Sequence, residues 1–370
     1  MKIGIDAREL RNDITTGIGR FLRQIIIYVC RERPKYKIIL YGNEDTHFEA
    51  IGAKQENLES RKILTSHNIF FDQIYLPYFI KKDRLDIFFS PYEKCPIFAV
   101  CPVIITIHDM TEFSFEEYQK RLKNKVLKYM IKAYAWKASR IMTVSEYSRK
   151  DIIDILKVPP EKVVKNYNSI DNQLTGEPVV SLTEIKRMFG ISGNYILYVG
   201  NFMPHKNLDN LIKAYSLLPD EIKDTYSLVL CGKKDIYAQR LLEKYIEYGL
   251  GNKIIFTDFV ADSILKSLYL YAYLFVFPSL YEGFGYPILE AMSLGVPVIA
   301  NDKTSLPEVV GQDGKLVDCS QPHILACNIK EVIMDTRLRE QMKMNGLKMA
   351  KEFTIQKHAE TFLNLIETLA

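Results

Sequence analysis

The chain lacks most of the features that would settle its class at a glance. None of its apolar runs reaches the roughly 20 residues of a membrane-spanning helix, and the best candidates, Cys95–Ile107 and Tyr269–Tyr281, are short and carry prolines. The start, MKIGIDAREL, is charged too early for a secretion signal, so a cytoplasmic protein is expected. The six cysteines form no CxxC pair and no Cys/His cluster, which argues against a disulfide framework or a thiolate metal site and for reduced, mostly buried thiols. No Asp-x-Asp triplet occurs anywhere, so that way of presenting two carboxylates to a divalent ion is missing. The glycine fingerprint of a dinucleotide site is incomplete, and there is no short-period repeat or low-complexity tract.

What is present reads as an ordinary soluble chain of 370 residues, 48% hydrophobic and 25% charged, which is more than one core usually holds. Strand-like apolar runs alternate with helical stretches twice. The first series is Lys2–Asp6, Lys37–Tyr41, Asp86–Phe89, Val103–His108, Arg140–Val144 and Val163–Tyr167. After a polar stretch near residue 175 a second series follows: Tyr195–Val199, Ser227–Cys231, Lys253–Phe256, Leu274–Pro278 and Val296–Ala300. Continuous apolar strands with helices between them mark buried parallel sheets, so the expected fold class is α/β, with two facing doubly wound domains and a cleft between them. The expected boundaries are residues 1–172, residues 173–355, and a terminal helix over 356–370 packing back on the first domain.

The net charge of +4 is unevenly placed, with 29 basic against 22 acidic residues through Asp171 and 20 against 23 after it. Much of the excess falls between Lys120 and Arg140. There Arg121, Lys125, Lys128 and Lys132 recur at helical spacing beside a stripe of Leu122, Val126, Met130 and Ala133. Such a helix either rests on an anionic membrane surface or is a solvated face packed on its own domain. Nucleic acid is not expected, because the basic residues are not interleaved with a binding motif.

Residues 280–295, LYEGFGYPILEAMSLG, carry the densest chemistry. Pro287 suits a first helical turn and Gly295 a position just past a helix end, so Pro287–Leu294 reads as a short capped helix. Glu282 and Glu290 then flank the amides of Gly283, Phe284, Gly285 and Tyr286, an arrangement suited to a ligand with both hydroxyls and phosphate, or simply to an ordinary helix start. Lys206, in the stretch Asn201-Phe202-Met203-Pro204-His205-Lys206-Asn207, sits just before another helix, with Asn207 as an N-cap candidate. A lysine there is unfavourable unless an anion shares the site, or unless it points to solvent. In the first half, Thr16-Gly17-Ile18-Gly19-Arg20 is a glycine loop leading into a helix over Phe21–Cys30, able to approach a phosphate or to serve as a generic turn. His108, at a strand's carboxyl end, reads equally as a cleft residue or as a structural histidine.

Taken together, YEGFGYPILEAMSLGVPVIA, YVGNFMPHKNLDNLIKAY, TIHD, the GIGR loop and TSLPEVVG at 304–311 resemble the retaining, nucleotide-sugar-dependent group 1 glycosyltransferases of the GT-B fold, and most of all bacterial mannosyltransferases that build O-antigen or capsule chains. The resemblance implies that Glu282 holds donor sugar hydroxyls beside the Phe284 and Gly285 amides, that Glu290 grips the ribose, and that Lys206 binds the diphosphate. It also implies that Gly17 and Gly19 approach the diphosphate, that His108 lies near the transferred sugar, and that Val260 meets the nucleobase. The places where many members carry a second cation hold Asn201 and His205. The implied donor is a nucleotide sugar, GDP-mannose favoured over a UDP- or dTDP-sugar, and it is a substrate, so no cofactor and no metal is expected. The implied acceptor is a saccharide or polyprenyl-linked saccharide, with contacts from loops 8–16 and 112–118. A nucleotide-sugar epimerase, a two-lobed sugar-binding protein and an NAD-dependent enzyme are the rival readings from other classes.

Overall fold

A computed structural model describes the chain apart from residues 12–16, 53–54, 66, 116–121 and 171–175. The chain divides into two compact units, Met1–Ser169 with Phe353–Ala370, and Ile170–Glu352. The terminal helix Ile355–Glu367 thus belongs with the first unit, where it packs on the helix Gly17–Glu32. The expected boundary near residue 172 lies outside the described residues.

The first unit holds a seven-stranded parallel sheet. In chain order its strands are β1 (Lys2–Asp6), β2 (Lys37–Gly42), β3 (Leu58–Lys62), β4 (Ile87–Ser90), β5 (Val103–Thr106), β6 (Arg140–Thr143) and β7 (Val163–Lys165), arranged β3-β2-β1-β4-β5-β6-β7. The second unit holds a six-stranded parallel sheet of β8 (Asn194–Val199), β9 (Tyr226–Cys231), β10 (Ile254–Asp258), β11 (Leu274–Phe277), β12 (Val298–Asn301) and β13 (Lys315–Val317), arranged β10-β9-β8-β11-β12-β13. Central strands such as β4, β5 and β11 are buried at every residue, because helices cover both faces of each sheet. The strand order reverses direction between β1 and β4 in one unit and between β8 and β11 in the other. Chain leaving neighbouring strands at such a point departs in opposite directions and opens a crevice at the carboxyl ends.

Two strands were not expected. Both β3 (LESRK) and β13 (KLV) are sheet edges, half exposed and partly charged, so they lack the apolar signature. The basic helix runs over Leu122–Lys137. Its inward stripe is Ile131, Tyr134, Ala135 and, just beyond the helix, Ala138, while Val126 and Ala133 face water, which corrects the expected stripe. Arg121 and the side chains of 122–125 lie outside the described residues. No helix among the described residues is long and apolar enough to cross a membrane.

Candidate functional site

In the second unit the site grows from the ends of β8 and β11. After β8 the chain makes a 3-10 turn over Pro204–Lys206 and then places Asn207 in the left-handed region, at φ 60°. Asn207 occupies the position before the helix Leu208–Ser216, but its side chain does not cap that helix. Its amide instead donates to the carbonyls of Pro278 at 3.1 Å and Cys319 at 2.8 Å, tying the turn to the ends of β11 and β13. Leu280 N–H donates to the His205 carbonyl at 2.8 Å, so the turn also lies against the loop leaving β11. The two loops thereby bring Lys206 Nζ to within 2.5 Å of Glu282 Oε1, with both side chains only 13% exposed. The anion that shares the site of Lys206 is therefore the protein's own carboxylate.

Glu282 is held from the other side. Its N–H donates to Thr304 Oγ1 at 3.3 Å, and its carbonyl accepts from Ser305 Oγ at 2.9 Å. Gly285 follows at φ 99°, where an added Cβ would come within 2.8 Å of Leu306, so both backbone conformation and space require glycine. The helix begins one residue earlier than expected, at Tyr286, and runs to Ser293, with Gly295 in the left-handed region just past its end. Phe284 is buried and packs edge-on against Tyr286. Glu290, one turn into the helix, is almost fully buried, and Tyr269 O–H donates to its Oε2 at 2.8 Å. A buried carboxylate needs such partners to stay in place. Val260, half-buried beyond β10, and the exposed Asn201, beyond β8, whose carbonyl accepts from Tyr198 O–H, follow strands of the same sheet that are separated by β9.

The first unit gathers a second group. His108 follows β5, and its Nε2 lies 3.0 Å from the Pro91 carbonyl. A carbonyl only accepts, so the proton is on Nε2 and the lone pair on Nδ1. Burial lowers the His108 pKa below the ordinary imidazole value, against the opposing pull of that hydrogen bond, and the ring is neutral near pH 7. His108 borders a cavity of about 220 Å³ with Ile18, Glu93, Asp109, Glu112 and Ile131. Gly17 and Gly19 are not in a loop: the helix starts at Gly17, so they form its first turn and Ile18 between them reaches the cavity. Thr16 and the rest of 12–16, like 116–118 of the second expected acceptor loop, lie outside the described residues.

Sequence reasoning missed Tyr269, Thr304, Ser305 and the tying role of Asn207. The segment TSLPEV was visible as a motif, but its support of Glu282 depends on β12 lying next to β11.

Two units of parallel sheet, each with its own topological switch point, make up the GT-B architecture. The chain belongs to the group 1 glycosyltransferases: residues 184–349 match the family model "Glycosyl transferases group 1" and residues 15–174 match "Glycosyltransferase Family 4". It is 33% identical to O-antigen chain mannosyltransferase B of Escherichia coli over 72% of this chain and 70% of that protein. It is 30% identical to the serotype-specific mannosyltransferase WbdA of Escherichia coli over 59% of this chain, a stretch that spans only 27% of WbdA. The fold matches Anabaena Alr3699/HepE, solved with UDP and glucose, at a TM-score of 0.77 and 19% identity over the whole of both chains.

Proposed function

We propose that the chain transfers mannose from GDP-mannose, with retention of anomeric configuration and without a metal ion, to a saccharide or polyprenyl-linked saccharide in surface polysaccharide synthesis at the cytoplasmic side of a membrane. The observation that carries the reaction type is the Lys206–Glu282 pair at the β8/β11 switch point. The similarity to an O-antigen mannosyltransferase supports the sugar.

In this reading the ammonium of Lys206 spends one proton on Glu282 and turns the others to the diphosphate, whose charge grows as the bond to the sugar breaks. Amides at the start of the Tyr286–Ser293 helix add to that field. Glu282, anchored through Thr304 and Ser305, holds sugar hydroxyls, and Glu290, oriented by Tyr269, holds the ribose. The acceptor oxygen attacks the anomeric carbon on the face from which the phosphate departs, and its proton passes to the leaving phosphate oxygen. No carboxylate nucleophile is required, and Glu282 is committed to hydrogen bonds. His108, neutral and with Nε2–H given to Pro91, offers Nδ1 as an acceptor for a hydroxyl and is no general acid.

A thermal-shift panel of nucleotide sugars tests the donor, since a ligand that binds only the folded state raises the melting temperature by mass action. GDP-mannose is expected to give the largest shift, and transfer is expected to survive EDTA. Preferential stabilisation by a UDP- or dTDP-sugar would replace the donor and leave the family assignment standing. Conversion of the donor sugar without any acceptor would favour an epimerase.

A further inference from the structure

Beside Lys206 lies a side chain that the reaction proposed above does not use. Among the described residues the Lys206 ammonium has two partners, the Glu282 carboxylate and the face of the Phe277 ring, whose centre is 5.7 Å from Nζ. A cation and an aromatic face attract each other within roughly 6 Å, and more strongly where water is excluded. Phe277 ends β11 and is 1% exposed, so the ring meets the ammonium from inside the protein.

The ring is held in one orientation. Phe275, two residues earlier on the same strand, lies nearly parallel to it at 6.0 Å and 18°. Tyr198, on the adjoining strand β8, lies nearly parallel at 5.9 Å and 15°. Both neighbours are fully buried, and close packing of near-parallel rings leaves Phe277 little freedom to turn. The Tyr198 hydroxyl is fixed in turn by donating to the Asn201 carbonyl at 2.8 Å. Burial raises the Tyr198 pKa well above the ordinary phenol value and the charge of Glu282 adds to the rise, so this group of rings borders the carboxylate as well as the ammonium.

A ring and a carboxylate hold a lysine differently. The ammonium is a compact charge on a flexible four-carbon stem, and needs fixing before it can serve as a preorganised donor. A carboxylate fixes it but cancels its charge, and a second carboxylate here would repel a diphosphate. The negative face of a ring attracts the ammonium while the net positive charge stays whole. When Glu282 turns to sugar hydroxyls, Phe277 is the partner that remains unchanged.

We propose that Phe277 is a positioning residue of the donor site: its ring face holds the Lys206 ammonium in place for the diphosphate and cancels none of its charge. This rests on the reading that Lys206 binds the diphosphate. Replacing Phe277 in the full chain by mono-, di- and trifluorinated phenylalanine tests it, because fluorine withdraws charge from the ring face and changes its size little. Calorimetric titration with GDP and with UDP, the tighter of the two being followed, is expected to show affinity falling at each step, by about tenfold in total. The urea midpoint should not follow that order. In Lys206→Ala the same series should leave the residual affinity unchanged, since the ring then has no cation to hold. A flat series in the protein that keeps Lys206, an equal decline in Lys206→Ala, or a urea midpoint falling in step with affinity would overturn the role of Phe277. If Lys206→Ala itself binds both nucleotides as tightly as the wild type, the reading of Lys206 fails and the proposal falls with it, so the two failures are told apart.

Discussion

Each unit has one topological switch point, and the two are filled in opposite ways. At β1/β4 in the first unit, Arg8 lies between Asp6 and Asp72, each at 2.5 Å, with side chains only 6%, 1% and 8% exposed. The guanidinium also stacks over Phe71 at 4.1 Å and bonds Asn68. Burial opposes its charge, but Asp6 and Asp72 outweigh that, and its pKa rises above the ordinary arginine value. At β8/β11 in the second unit a single lysine faces a single glutamate, both somewhat more exposed. The first cluster carries one positive and two negative charges and would repel a diphosphate; the second is a neutral pair whose cation can be shared with one. The same place in the fold is a fastener in one unit and, in the function proposed above, the donor site in the other, and the difference lies in the count of carboxylates and in burial.

Breaking the fastener should have the largest effect. Arg8→Met leaves two buried carboxylates without their counter-ion, a loss of about 3–5 kcal/mol. Urea unfolding should show a large fall in the midpoint; an unchanged midpoint would mean the cluster holds nothing together. Lys206→Ala should invert that pattern. Transfer should fall about 10²–10³-fold, equivalent to about 2.7–4 kcal/mol at the transition state, with a smaller shift of the urea midpoint than Arg8→Met gives. A Lys206→Ala enzyme with wild-type rates at both low and saturating donor would remove the lysine from the site.

Protonation separates the units as well. His358, on the terminal helix of the first unit, is buried with Nδ1–H donated to the Tyr167 carbonyl and, among the described residues, no hydrogen-bond partner for Nε2. Burial pulls its pKa from 6.5 down to about 4, with the Tyr167 hydrogen bond opposing and His108 adding to the fall. The unfolded chain thus takes a proton below about pH 6.5 that the folded chain refuses until about pH 4. Stability is fully present above that window and drops by up to about 3 kcal/mol as pH falls through it. His108, also lowered by burial, acts in the same direction. Unfolding midpoints across the window should fall for the wild type and flatten for His358→Gln; an equally steep profile in the variant would place the sensitivity elsewhere.

These contrasts were only partly legible in the residues. The strands Tyr195–Val199 and Leu274–Phe277 show as continuous apolar runs because both sheet faces are covered, and the family motifs lie at their ends. LESRK at β3 is invisible, since an edge strand is recruited by backbone pairing to β2 and needs no apolar face. The Leu122–Lys137 helix has apolar residues on every side, so periodicity alone could not choose between the Val126 and the Ile131 stripes. Lys206 and Glu282 were each picked out, but their pairing spans 76 residues and follows only from the adjacency of β8 and β11. Tyr269 beside Glu290 and Arg8 beside Asp72 are products of tertiary folding in the same sense.

The smallest predicted effect concerns how firmly the openable pair is held. Ser305 Oγ–H donates to the Glu282 carbonyl at 2.9 Å, and Ser305 is itself fully buried, so removing the hydroxyl leaves that carbonyl without this donor. A neutral hydrogen bond of this type contributes about 0.5–1.5 kcal/mol net, which corresponds to a change of about tenfold or less. Ser305 reaches the backbone of Glu282 and not its carboxylate, so Ser305→Ala should loosen the loop that presents the carboxylate while leaving the Lys206 ammonium in place. The expected result is a higher KM for the donor with kcat less affected, and recovery in Ser305→Thr, which restores the hydroxyl. A fall in kcat as deep as that of Lys206→Ala would mean that the loop and the cation act as one unit, and the contrast between a rigid first switch point and an adjustable second one would then have to be abandoned.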